Sequence, residues 1–111
     1  MSTDLTVTVT ETDSQVEIHV HGEVDMAGLE ELRNSIEPHL GPRQTIVMDL
    51  SQVTFADSTL LKVLVVARGE LAAAGGSLLL RYPSEQTRRL LTVGELESLI
   101  HDEADRQNDE R

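Results

Sequence analysis

Thr45-Ile46-Val47-Met48-Asp49-Leu50 is followed by an apolar segment from Ser58 to Ala73 and then, after Gly75-Gly76, by Leu78-Leu79-Leu80. The first run is short and nearly continuously apolar, which suits a central strand covered on both faces. The second has the length of a helix, and the leucine run reads as another buried strand. A strand, helix and strand of these lengths predict a right-handed parallel crossover. This unit sets the class of the fold, and the flanking sequence has to fit around it.

Upstream, Leu5-Thr6-Val7-Thr8-Val9-Thr10 and Val16-Glu17-Ile18-His19-Val20-His21 both alternate with period two, and Glu11-Thr12-Asp13-Ser14 connects them. That pattern predicts an antiparallel hairpin. Gly22-Glu23-Val24-Asp25 breaks the alternation, with Gly22 read as a tight bend. Leu29, Leu32, Ile36 and Leu40 then recur at helical spacing until Gly41-Pro42 stops them. Downstream, Ser84 is the expected N-cap of a helix that ends near Gly94. Leu96, Leu99 and Ile100 fit either a final strand or the start of a helix. The expected architecture is α/β: one mixed four- to five-stranded sheet with helices packed against it, over residues 1–100. Residues 101–111 form an acidic tail expected to be disordered.

Composition narrows the function. The chain has 111 residues, 20 acidic against nine basic, a formal charge of -11 and a pI near 4.6. One compact domain fits this length. Such a surface repels nucleic acid and anionic lipid and favours a basic partner surface, although solubility alone explains the acidity as well. Only Phe55 and Tyr82 are aromatic, so the core must be aliphatic. Without cysteine there are no disulfides or thiolate ligands. The N-terminus lacks the basic and apolar regions of a signal peptide, and no apolar stretch approaches 18 residues. Cytoplasmic residence without membrane insertion is expected.

Two polar clusters draw interest. Asp57-Ser58-Thr59 stands beyond the carboxyl end of the central strand, where open sheets expose functional loops. The first-turn amides of the next helix stabilise an anion there, including a phosphoserine at Ser58. Simple helix capping by Ser58 or Asp57 is the plainer explanation, and Thr59 is a weaker second hydroxyl. Glu23 and Asp25 either cap the following helix or present charge to a basic partner. In the helix from Ser58, Leu61, Leu64, Val65 and Leu71 are expected to face the sheet. Leu60 and Val63 then fall toward another side, as a docking ridge or beneath a loop, and Lys62 points outward. His19, His21, His39 and His101 form no metal signature. No nucleophile, base or cofactor motif is present, so neither an enzyme nor a cofactor carrier is expected.

Val47-Met48-Asp49-Leu50-Ser51-Gln52-Val53-Thr54-Phe55-Ala56-Asp57-Ser58-Thr59, preceded by Gly22-Glu23-Val24-Asp25 and followed by Gly75-Gly76 and the leucine strand, resembles the STAS family, specifically its small bacterial anti-sigma factor antagonists. The likeness spans residues 4 to 100. It implies a STAS-like fold and a protein that captures an anti-sigma factor that is also a serine kinase. Phosphorylation at Ser58 would block capture, and a separate phosphatase would restore it. The resemblance implies that Asp57 shapes the phosphorylation loop and that Glu23 and Asp25 lie in a region of partner contact; the expected partner-binding set is Glu23, Asp25, Asp57, Ser58, Thr59, Leu60, Lys62 and Val63. The free protein is expected to be a monomer. Leu60 and Lys62 depart from the glycines common in the family; the leucine adds bulk, and the lysine adds charge beside Ser58. The alternative is an unphosphorylated scaffold or regulatory subunit of a larger signalling or transport complex.

Overall fold

The computed structural model describes residues 4–101. Strands β1 (Leu5–Glu11), β2 (Val16–Val24), β3 (Thr45–Ala56) and β4 (Ser77–Arg81) form one sheet in the order β1-β2-β3-β4. The first pair is antiparallel and the other two are parallel. Helix α1 (Leu29–Ile36) links β2 to β3, α2 (Ser58–Ala73) links β3 to β4, and α3 (Glu85–Val93) follows β4.

Register explains the core. Val9, Ile18, Met48 and Leu80 lie in one row across all four strands, with Val16, Ile46 and Leu78 in the adjacent row. These side chains join Leu32 and Ile36 of α1, Leu60, Leu64 and Leu71 of α2, and Leu91 of α3 in a single aliphatic cluster. The opposite sheet face carries the row Thr8, His19, Asp49 and Arg81, as period-two alternation requires. His19 lies 3.7 Å from both Glu17 and Asp49 on that face. Among the described residues no cluster suits a metal ion, and no helix is long and apolar enough to cross a membrane.

Several elements depart from expectation. The central strand runs six residues beyond Leu50, because Gln52, Val53, Phe55 and Ala56 continue to pair with β2 through two register shifts after β4 has ended. Gly22 is a strand residue at one of these irregularities, not a bend. Its φ of 98° is left-handed, and a Cβ there would collide with the carbonyl oxygen of Asp4. Helix α1 stops at Ile36, and Glu37–His39 form a 3₁₀ turn, since Pro38 has no N–H to continue the α-helical ladder. At the C-terminal end neither alternative holds alone: a 3₁₀ turn, Glu97–Leu99, precedes a one-residue parallel bridge from Ile100 to Leu80. His101 is also tied to the sheet, donating its amide to Leu80 O at 2.7 Å. The rest of the expected tail, 102–111, lies outside the described residues.

The facing of α2 also needs correction. Leu60, Val63, Leu64, Ala67 and Leu71 are buried, whereas Val65 is exposed and Leu61 only half-buried. The buried set follows i, i+3, i+4, i+7 and i+11, a regular stripe anchored on Leu60. Leu61 flanks it and packs under Gly94. Leu60 therefore belongs to the core.

Candidate functional site

The parallel register of β2 and β3 ends with Val24 beside Ala56. The residue after β3, Asp57, donates its amide to Val24 O at 3.1 Å. This bond ties together the two chain segments from which Asp25 and Asp57 emerge. Both aspartates then do the same local work. Asp25 Oδ1 accepts from the Ala27 amide at 3.0 Å and caps the 3₁₀ turn Met26–Gly28, while Asp57 Oδ1 accepts from the Thr59 amide at 2.8 Å and caps α2. Each side chain satisfies an amide that has no partner within its own helix.

Because Asp57 supplies the cap, Ser58 is freed from that task. It is the first helical residue, and it is exposed. Thr59 and Leu60 turn inward at 3% and 0% exposure, so neither offers its side chain to another molecule. Lys62, exposed, follows Ser58 by four residues on the same helical face. Val63 is 7% exposed and reaches the surface only as part of the floor of a groove of about 280 Å³ between α1 and α2, with Leu29, Ile36 and Ala67. Arg33, Glu37 and Glu70 line the same groove, and Arg33 is held by Glu37 at 3.3 Å.

Two further side chains belong to this end of the molecule. Met26 follows the Asp25 cap and is 65% exposed; Phe55 precedes Ala56-Asp57, is 42% exposed and lies in register with exposed Glu23. Neither was evident in the sequence: Phe55 falls in a stretch that reads as polar loop, and Met26 follows a capping aspartate with no periodicity to place it. The paired ends of β2 and β3 and the turn after β2 therefore carry two apolar groups along the same short segments as the carboxylates of Glu23, Asp25 and Asp57.

The sequence profile of the family described as "Mlab, STAS domain" matches residues 7–101. The chain belongs to the STAS family. A STAS domain of this kind is a regulatory module and not an enzyme. The solved structure of the anti-sigma factor antagonist SpoIIAA in its unphosphorylated form is 24% identical, with a TM-score of 0.80 over 96% of this chain and 95% of that one. The phosphorylated form of the Bacillus cell fate determinant SpoIIAA is also 24% identical, with a TM-score of 0.74 over 96% of this chain and 100% of that one. An anti-sigma factor antagonist from Mycobacterium paratuberculosis is 27% identical, with a TM-score of 0.76 over 88% and 84% of the two chains. No curated protein matches the chain. The STAS fold accounts for the paired strand ends and the helix that begins at Ser58.

Proposed function

We propose that this STAS domain is a cytoplasmic anti-sigma factor antagonist that captures an anti-sigma factor with serine-kinase activity and is switched off by phosphorylation of Ser58. The observation that carries the reading is the division of labour at the start of α2: Asp57 makes the cap, and the next hydroxyl stands exposed. Met26 and Phe55 supply apolar contact, while Glu23 and Asp25 favour a basic partner surface.

A phosphate on Ser58 adds about -1.5 to -2 charges beside Asp57. Lys62 and the first-turn amides stabilise that group within the chain. A partner surface shaped for a neutral hydroxyl among carboxylates meets a dianion instead, and docking is lost. A phosphatase acting on the phosphoserine restores binding. ATP and the phosphoryl-transfer machinery belong to the partner. Leu60 does not obstruct that partner, because its side chain lies in the core; of the two departures from the family glycines, only Lys62 alters the surface.

The test is capture of the cognate kinase from the native host, followed by phosphosite mapping. Binding should survive Ser58→Ala and disappear with Ser58→Asp, and the phosphate should map to Ser58. A second reading, an unphosphorylated subunit of a larger signalling or transport complex, is favoured by Lys62 standing where the family has a small residue. It predicts stable association that neither substitution changes.

A further inference from the structure

The two edges of the sheet are finished differently. Along β4, Ile100 and His101 of the same chain take up the outer side, through the Leu80–Ile100 bridge and the His101 amide on Leu80 O. At the other edge, β1 is the terminal strand. Its bonding parity can be read from both ends of the hairpin. Thr12 N donates to Gln15 O at 2.9 Å, and Glu23 N donates to Asp4 O at 3.4 Å. With Leu5 opposite Gly22 and Glu11 opposite Val16, these bonds place the even-numbered residues of β1 in the hydrogen-bonded pairs with β2. The amides and carbonyls of Val7 and Val9 therefore point away from the sheet.

Edge strands are ordinarily blunted by lysine, proline, a bulge or an inward charge. From Thr6 to Thr10 this strand has none of these; its sequence is Thr-Val-Thr-Val-Thr, paired without interruption to β2. It is also symmetric about Thr8. We infer that β1 is the contact surface for a second copy of this chain, pairing antiparallel about a two-fold axis at Thr8 to give one continuous eight-stranded sheet.

Complementarity selects the second copy. In that register Val7 faces Val9 of the partner and Thr6 faces Thr10, so each sheet keeps its core-facing side on the same surface. The outward groups of Val7 and Val9 meet their counterparts in hydrogen-bonded pairs, and Thr8 meets Thr8 in a non-hydrogen-bonded pair. The charges are compatible as well: the side-chain carboxylate of Glu11, the last residue of β1, falls opposite Leu5 and Asp4 falls beside Thr12, so no two acids oppose each other along the seam. The monomer expected for the free protein gives way to a weak dimer, strengthened by salt because each chain carries a formal charge of -11.

This arrangement is independent of the Ser58 reading, since β1 lies at the far edge of the sheet from β4 and contributes no residue to that site. Sedimentation of the full chain over rising concentration, at low and high salt, should show a monomer–dimer equilibrium shifted toward dimer at high salt. Thr8→Lys places two like charges opposite each other on an otherwise exposed position and should abolish the dimer while leaving the melting temperature of the monomer unchanged. The chain has no cysteine, and non-hydrogen-bonded partners have Cα atoms about 4.5 Å apart, within disulfide range. Mild oxidation of Thr8→Cys should give a covalent dimer with native circular dichroism, whereas Thr6→Cys should stay monomeric. A monomer at every concentration with no preferential cross-linking at position 8 overturns the inference. So does a dimer that Thr8→Lys leaves intact.

Discussion

Asp57 donates its amide to the carbonyl of Val24 at 3.1 Å and uses its carboxylate to hold the Thr59 amide at 2.8 Å. One residue thus ties the end of β2 to the start of α2 and fixes where Ser58 emerges. Asp57→Ala keeps the backbone bond and loses the cap, so it should cost about 1 kcal/mol of stability, with Asp57→Asn close to wild type. Thermal denaturation of the two variants measures the difference. Equal melting of the alanine and wild-type proteins would show that Ser58 or solvent can take over the cap.

Ser58 is exposed and is not the cap, so its substitutions should leave the fold alone. Ser58→Ala and Ser58→Asp are both expected to unfold within about 0.5 kcal/mol of wild type in urea. That result is needed to read a binding loss in Ser58→Asp as a change of charge. A large destabilisation of either variant would mean that the hydroxyl has a structural role.

Leu60, in the first turn of α2, is fully buried. Leu60→Gly should therefore destabilise the domain by more than about 2 kcal/mol, since it opens a cavity and places glycine in a helix. Chemical denaturation with an unchanged slope is the check. A neutral or stabilising outcome would remove Leu60 from the core.

Met26 is 65% exposed beside the Asp25 cap. Met26→Ser should leave stability within about 0.5 kcal/mol of wild type and, on the proposed function, weaken capture of the proposed kinase partner. Titration of the variant against that partner decides the point, and unaltered affinity would exclude Met26 from the interface.

Gly22 has φ of 98° inside β2, with the Asp4 carbonyl where a Cβ would lie. Gly22→Ala should lose more than about 1 kcal/mol and loosen β1 first. Amide hydrogen exchange along Leu5–Glu11 reports that loosening, and unchanged protection there would contradict the account.

The crossover from β3 through α2 to β4, the hairpin, the bounds of α2 and the Ser84 cap were legible in the sequence, because each depends on short-range periodicity or on one capping side chain. The candidate serine was legible for the same reason: a hydroxyl after a strand and before an apolar helix has few places to go. The second half of β3 was not, since Ser51 to Ala56 reads as polar loop and becomes strand only because β2 continues alongside it. The inward turn of Leu60 was missed because a helix with apolar residues on several sides does not reveal which side meets the sheet.

The sequence by itself determined the hairpin, the crossover and the approximate place of each helix, the aliphatic nature of the core and the acidity of the surface, all properties carried by residues close together in the chain. Tertiary structure alone decided that Asp25 and Asp57 stand on neighbouring strand ends, that Asp57 is the cap and Ser58 the exposed hydroxyl, and that β1 ends the sheet with Val7 and Val9 facing outward. Those facts depend on strand order and register, which are set by packing between residues distant in sequence and leave no local trace in the pattern of side chains.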